Sequence, residues 1–158
     1  MKALSLTQPW ATLVAKGAKR IETRSWRTSH RGRIAIHASM GFPRGAQALC
    51  LEDPFHLELF GQRAAAADRL VSAARLTELP RGAVVATARL ICCEPTGDVI
   101  VAVDMMDRHG APFEEAFGDY SPGRWMWFLE DVAPLADPVP ARGALSLWEW
   151  TPPEGWRP

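Results

Sequence analysis

Long apolar runs, cysteines and an overall charge are all missing or scarce in this 158-residue sequence. No uncharged apolar run approaches the roughly 20 residues that a membrane-spanning helix needs, so we expect no transmembrane segment. Gln8, Pro9 and Trp10 interrupt the N-terminus before a hydrophobic region develops, which argues against a secretory signal. Three cysteines are too few and too badly placed for a disulfide framework, in agreement with a reducing compartment. These absences predict a cytoplasmic protein with no membrane partner.

Sequence motifs for common cofactors are also absent. Neither the glycine-rich dinucleotide fingerprint nor a phosphate-binding P-loop occurs. Cys92 and Cys93 are adjacent and point to opposite faces of any strand, and no histidine pair has ligand spacing. We therefore expect neither a metal site nor a bound cofactor.

What is present fits one folded domain over residues 1–158, with a Pro-rich tail from about residue 151. Apolar residues make up 47% of the chain, enough to bury a core. The pattern of periodicity and turn signals is α+β, with a strongly bent or barrel-like sheet and helices outside it. Predicted strands cover Lys2–Leu6, Arg20–Trp26, Arg33–Ala38, Ala83–Cys93, Asp98–Asp104, Trp125–Leu129 and Ala144–Trp150, with a turn at Asp137–Gly143. Predicted helices run from a Thr7 cap to about Lys16, within Met40–Cys50, and over Gln62–Leu76.

The zero net charge hides a strong asymmetry. Residues 1–49 carry nine basic residues and one acid, Glu22, a net charge of +8, and the remainder carries −8. Seven of the basic residues lie between Lys16 and Arg33, where a shared face would make a local anion site. The alternative is a solvated surface paired with the acidic stretch Glu94–Asp131.

Several segments together resemble the ASCH domain family, which is related to the PUA domain. They are Leu4–Ala11, Gly17–Trp26, Arg31–Ser39, Pro80–Ala86, Gly123–Leu129, Pro140–Gly143 and Leu147–Trp148, in the family's order. The resemblance implies a PUA-like fold, a small bent β-barrel flanked by helices. It also implies a cleft formed by the first helix, the second strand and the loops that close over them.

The function implied by this resemblance is the handling of RNA or nucleosides. Its relatives include RNA-binding proteins, nucleases and amidohydrolases that act on an acylated cytidine. Three hypotheses follow: a module that binds RNA or a nucleotide or nucleoside in a basic cleft, a hydrolase that uses the same cleft, and a coactivator-like interaction domain. Fold analogy alone does not choose among them.

Three residues are candidates for catalysis. Lys19 matches the lysine that the amidohydrolase branch has after its glycine turn, and in a dry cleft a lysine can act as a base; on the rim it only attracts phosphate. Glu22 stands where that branch has a hydroxyl nucleophile, so it can orient Lys19 or act as a general base but is not the expected threonine. By the layout that the resemblance implies, His37 and Ser39 end the third strand beside the cleft. His37 is either a satisfied strand histidine or an acid–base group near pH 7.

Candidate ligand-binding residues surround these three. Trp10 begins a helix and can stack on a base, or it packs in the core. Arg24 shares a strand face with Glu22, as a salt bridge or as a phosphate donor. Tyr120 can cap the cleft, and Glu114 or Glu115 can supply a second carboxylate. The full predicted set is Gln8, Pro9, Trp10, Arg24, Ser25, Trp26, Arg27, Arg31, Ser39, Tyr120 and Trp125.

The sequence favours binding over catalysis because the expected nucleophile is missing. The predicted partner is RNA, another single-stranded nucleic acid or a modified nucleoside. The hydrolase alternative assigns acid–base chemistry to Lys19 and Glu22, on an acylated cytidine or, without a metal, on an RNA phosphodiester. No oligomeric state is predicted.

Overall fold

In a computed structural model of the chain, the described residues are 1–64, 74–97, 104 and 106–156. Within them, six strands form one sheet: β1 (Lys2–Leu6), β2 (Ile21–Arg24), β3 (Gly32–Ala38), β4 (Ala83–Pro95), β5 (Trp125–Pro140) and β6 (Leu147–Glu149). The α-helices are α1 (Trp10–Ala15), α2 (Arg44–Leu49) and α3 (Phe55–Phe60), and short 3₁₀ helices cover Leu76–Glu78 and Glu114–Phe117. No helix in these ranges is long and apolar enough to cross a membrane.

The sheet has the strand order β2-β5-β4-β3-β1-β6. Strands β1 and β3 are parallel, and the other neighbouring strands are antiparallel. Irregular register occurs between β3 and β4 and at three places between the long strands β4 and β5. Such irregularities bend and twist a strand, so the sheet curls into a half-barrel. The α+β prediction with a bent sheet is confirmed.

Strand alternation decides where the core lies. Ile34 and Ile36 of β3 face the side on which Leu4 and α1 residue Val14 pack. Ala35 faces the other side, in a cluster with Trp150. This two-faced pattern places α1 against one face of the sheet.

Helix α1 is fixed at both ends. It begins at Trp10, after Pro9, so the predicted cap by the Thr7 side chain is wrong. Gln8 Oε1 accepts the N–H of Thr12 instead (3.2 Å). Gly17 ends the helix in a left-handed conformation, φ +73°, which glycine adopts without steric cost. The following turn returns the chain towards β2.

The second half of the chain departs from prediction. Strand β5 continues to Pro140, so the turn predicted at Asp137–Gly143 begins four residues too early. The long strand β4 provides the reason, because Val84 and Ala83 pair with Val139 and Pro140. Strand β6 is shorter than predicted, and α3 was not predicted.

Two predicted elements lie largely outside the described residues. For the helix predicted over Gln62–Leu76, residues 62–64 are not helical, residues 74 and 75 are, and residues 65–73 are not described. The strand predicted at Asp98–Asp104 is described only at residue 104, which is helical.

Candidate functional site

A cleft of about 560 Å³ opens between the N-terminal end of α1, strand β2 and the segment 116–119, which includes the end of the second 3₁₀ helix. Its lining includes aromatic, acidic and basic side chains: Trp10, Glu22, Arg24, Ser25, Trp26, Phe55, Phe117, Asp119 and Arg124. Five of these residues, Trp10, Glu22, Arg24, Ser25 and Trp26, belong to the set predicted from sequence.

Two tryptophans in the cleft are held by their neighbours. The indole N–H of Trp10 donates to the carbonyl of Phe117 (2.9 Å), and its ring meets Phe55 edge to face at 6.2 Å. Trp26 meets Trp127 edge to face at 4.5 Å. Edge-to-face contacts and an anchored indole restrict rotation, so both rings present defined surfaces.

Strand β2 supplies the charged floor. Glu22 and Arg24 are two residues apart and therefore share a face, as predicted. Arg24 Nε lies 3.0 Å from Glu22 Oε1, and Arg24 Nη2 donates to the carbonyl of Ser5 (2.9 Å). The pair combines hydrogen-bond donors and acceptors at one place in the cleft.

Lys19 lies behind this floor and does not line the cleft. Its side chain is 1% exposed. The ammonium group donates to the carbonyl of Ile21 and lies 3.8 Å from Glu22 Oε2 and 3.7 Å from Glu114 Oε1. The ammonium group thus has one hydrogen bond and two carboxylates within ion-pair distance. Lys19 and Glu22 meet because Lys19 belongs to the turn, where its N–H bonds to the carbonyl of Leu13.

Glu114 anchors the opposite wall to β2. Its carboxylate accepts the backbone N–H groups of Arg20 (2.7 Å), Ile21 (3.1 Å) and Ala111 (3.3 Å), in addition to the ion pair with Lys19. The neighbouring Glu115 is exposed. Of the two carboxylates that the sequence offered, Glu114 is the one next to the Lys19–Glu22 pair.

Asp119 and Arg124 form a second ion pair in the cleft, with Oδ2 and Nε 3.3 Å apart. Arg124 Nη2 also donates to the carbonyl of Thr23 (3.2 Å). Hydrogen bonds from Ser121 hold the pKa of Asp119 below its usual value, and the charge of Arg124 lowers it further. Asp119 therefore stays ionised at neutral pH.

Comparison with known proteins identifies the family. The model of the ASCH domain matches residues 4–132, most of the chain. The chain belongs to the ASCH domain family. It is 44% identical over 54 residues to activating signal cointegrator 1 of Homo sapiens and, equally, of Mus musculus; the match covers 34% of this chain and 9% of either relative. The chain thus aligns with only a small part of these relatives.

The crystal structure of ASCH from Zymomonas mobilis has the same fold. It is 16% identical, with a TM-score of 0.52, and the alignment covers 97% of this chain and 88% of that one. The predicted PUA-like half-barrel is thereby confirmed. The family match ends within β5, so β6 and Trp148 lie beyond the matched ASCH residues.

Two predicted residues of the ASCH cleft lie elsewhere. His37 and Ser39 line a separate groove of about 790 Å³, so the expectation that they border the cleft is wrong. The reason is alternation, because His37 lies on the Ala35 face of β3, away from the face that packs on α1. His37 Nδ1 lies 3.1 Å from Ser5 Oγ and Nε2 3.1 Å from the Ala141 carbonyl. Burial lowers the pKa of His37.

Other predicted residues support the ASCH cleft without lining it. Gln8 is fully buried, donating to the Pro80 carbonyl (2.7 Å) and accepting from Thr12, and Pro9 is buried beside it. Tyr120 packs in a cluster with Ile21, and burial raises its pKa. These side chains position the walls of the cleft.

The loop that follows β2 is basic and begins directly after Trp26, a residue that lines the cleft. The Arg27 guanidinium stands over the Trp125 ring, 5.6 Å from its centroid. Arg31 donates to the carbonyls of Thr28 (3.1 Å) and His30 (2.8 Å). Neither arginine nor Trp125 lines the cleft, but both arginines are exposed. Among the described residues, no three His, Cys, Asp or Glu side chains gather as metal ligands.

Sequence reasoning missed Asp119, Arg124 and Phe55. Arg124 lies within a segment that carries the ASCH resemblance, Gly123–Leu129, which was the available signal. Phe55 lines the cleft from α3. The short sequence of this helix does not indicate that the helix lies beside the cleft.

Proposed function

We propose that this ASCH domain binds single-stranded RNA and seats one base in the cleft. The observation that carries the proposal is that Trp10 and Trp26 line one hollow together with the Glu22–Arg24 pair. A flat base gains stacking on an indole, and its edge gains both a carboxylate acceptor and a guanidinium donor. The family to which the chain belongs suggests RNA as the partner.

The exposed arginines of the loop after β2 extend the site for the backbone of the strand. Arg27 follows Trp26 directly and Arg31 lies four residues further along the same loop, so we place the backbone of a strand whose base enters the cleft near both. Phosphate contacts of this kind provide affinity and position, with little sequence preference.

Binding is favoured over hydrolysis by the position of Lys19. A general base has to come within hydrogen-bond reach of the substrate, whereas Lys19 is buried and its donors face acceptors of the protein. Thr23, the nearest hydroxyl, accepts the N–H of Asp119 (3.1 Å). Neither group presents a free catalytic function to the cleft.

The test is an anisotropy titration of a labelled RNA of about 12 nucleotides at several salt concentrations between about 50 and 200 mM. We expect affinity to fall linearly on a log–log plot, and the double variant Arg27→Glu/Arg31→Glu to weaken binding by tenfold or more. The control Arg44→Glu/Arg81→Glu makes the same charge change at exposed residues outside the cleft. Affinity that ignores both salt and the first pair contradicts the proposal.

A hydrolase is the second candidate, because Lys19 lies between two carboxylates. Incubation with an RNA oligomer and with an acylated cytidine, followed by product analysis, tests it. Turnover that is abolished by Lys19→Ala and by Glu22→Ala, in variants with an unchanged circular dichroism spectrum, supports this candidate. Absence of products, with binding intact, supports the binding function.

A further inference from the structure

Arg24 and Arg124 are held in the cleft in the same way. Each has Nε beside one carboxylate, at 3.0 Å from Glu22 and at 3.3 Å from Asp119. Each uses Nη2 to donate to a main-chain carbonyl, Ser5 for Arg24 and Thr23 for Arg124. The two side chains are 26% and 28% exposed. Both guanidinium groups are thus fixed on one side and open to the cleft on the other.

Both arginines also have unfulfilled hydrogen-bonding capacity. In the described part of the chain, four buried side-chain polar atoms have no hydrogen-bond partner, and two of them are the Nε atoms of Arg24 and Arg124. The carboxylates are close, but the N–H groups are not directed at them. These Nε atoms are buried, so an anion in the cleft meets the exposed part of each guanidinium group, which lies on a side chain that is 26% or 28% exposed.

A purely structural arginine in this protein looks different. Arg89 donates through Nε to Asp131 (2.7 Å) and through Nη2 to Glu130 (2.8 Å), on the surface away from the cleft. These two guanidinium donors of Arg89 therefore have carboxylate acceptors within the protein. The arginines of the cleft lack this match, although each has a carboxylate within ion-pair distance.

We propose that the cleft binds a nucleotide through its phosphate, which is held between Arg24 and Arg124 while the attached base lies against the tryptophans. This inference rests on the proposed function and names its ligand class: a phosphate ester, as a mononucleotide or as one unit of an RNA strand. The planar guanidinium fork suits phosphate oxygens, which accept several charge-assisted hydrogen bonds at once.

The experiment is calorimetric titration of the protein with the four ribonucleosides, their 5′-monophosphates, inorganic phosphate and a short single-stranded RNA. We expect the best monophosphate to bind at least tenfold more tightly than its nucleoside. Inorganic phosphate alone binds more weakly than that nucleotide, because it lacks the base. Equal affinity of nucleoside and nucleotide overturns the inference, as does inorganic phosphate that binds as tightly as the nucleotide.

Variants assign the effect to the two arginines. Arg124→Gln reduces nucleotide affinity about tenfold and leaves nucleoside affinity within twofold. Arg24→Gln weakens the binding of both ligands, because Arg24 also donates to the edge of the base, but it weakens nucleotide binding more and so lowers the nucleotide preference. Arg124→Lys retains the charge without the fork and loses part of the preference. Arg89→Gln, the matched control, changes neither. Thermal melting identifies any unfolded variant, and either arginine then suffices for the test; a nucleotide preference that survives in a folded variant overturns the inference.

These outcomes separate the inference from the proposed function. If nucleosides, nucleotides and RNA all fail to bind, the proposed function fails and the inference with it. If RNA and nucleosides bind but the phosphate adds nothing, the base-binding cleft stands and only the phosphate assignment fails.

Discussion

Two hollows meet at Ser5, and they differ in chemistry. The cleft has two ion pairs and two tryptophans in its lining. The groove that contains His37 has mostly small and apolar walls, with Met40 73% exposed and Leu145 92% exposed. Arg142 is the one residue of its lining with a permanent charge. Both hollows use segments that resemble the ASCH family, so family membership alone does not indicate which hollow binds the ligand.

The comparison shows that charge, more than volume, distinguishes a candidate nucleic-acid site here. The groove is the larger hollow, at about 790 Å³ against about 560 Å³. Its titratable group, His37, has both ring nitrogens within hydrogen-bond distance of the protein. The cleft instead contains the partly exposed guanidinium groups of Arg24 and Arg124.

The largest effect is expected behind the cleft, at Glu114. Glu114→Ala removes the acceptor of three backbone N–H groups and leaves Lys19 with one carboxylate, which costs about 3–5 kcal/mol of unfolding free energy. Urea denaturation measures this loss. The exposed neighbour supplies the control, because Glu115→Ala changes stability by less than about 0.5 kcal/mol. Similar stabilities of the two variants contradict the anchoring role.

The next effect distinguishes the aromatic residues of the two hollows. Trp26→Leu removes a stacking surface from the cleft and weakens RNA binding by about 1–3 kcal/mol in the anisotropy titration. Trp148→Leu removes a tryptophan of similar exposure that contacts His37 at 5.5 Å, and RNA affinity stays unchanged. Equal losses in both variants would remove the distinction between cleft and groove.

A smaller effect concerns pH. Burial lowers the pKa of His37 from 6.5, so between that pH and its folded pKa the unfolded chain binds more protons, and stability falls as pH decreases. The lowered pKa of Asp119 keeps this carboxylate ionised above its ordinary pKa of 3.8. His37→Gln therefore removes part of the stability loss that occurs as pH falls from 6.5 through the lowered pKa of His37. Denaturation curves recorded at several pH values measure the loss. If the stability of His37→Gln falls with decreasing pH as steeply as that of the original protein, the prediction is wrong.

The smallest effect is expected at the groove's exposed lip. Leu145→Ser changes stability by less than about 0.5 kcal/mol because the side chain is almost fully in solvent. RNA affinity should also remain unchanged. A marked loss of RNA binding would show that the groove belongs to the nucleic-acid surface, and the division between the two hollows would then be wrong.

Local patterns predicted the part of the site that lies on β2. Alternation alone places Glu22 and Arg24 on one face. Alternation in a regular strand would put Lys19 opposite Glu22, and the two meet because Lys19 belongs to the turn after Gly17. The resemblance to the ASCH family further implied that the first helix and this strand form the same cleft. The sequence therefore predicted the floor of the cleft and one of its walls.

The opposite wall depends on contacts between distant parts of the chain. Asp119 and Arg124 reach the cleft because β5 pairs with β2 and Glu114 binds the backbone before β2, which no local pattern reveals. The prediction that His37 borders the cleft was wrong because it did not take account of the face of β3 on which His37 lies. The resemblance put the end of β3 near the cleft, but the face on which each side chain lies is set by register.

Ser5 is a single residue that lines both hollows. Its carbonyl accepts from Arg24 on the side of the cleft, and its hydroxyl accepts from the indole of Trp148 on the side of the groove (3.1 Å). Ser5 therefore forms part of the wall between the cleft and the groove. A change that moves the main chain at Ser5 therefore acts on both spaces, whereas loss of the Trp148 indole removes only the bond on the side of the groove.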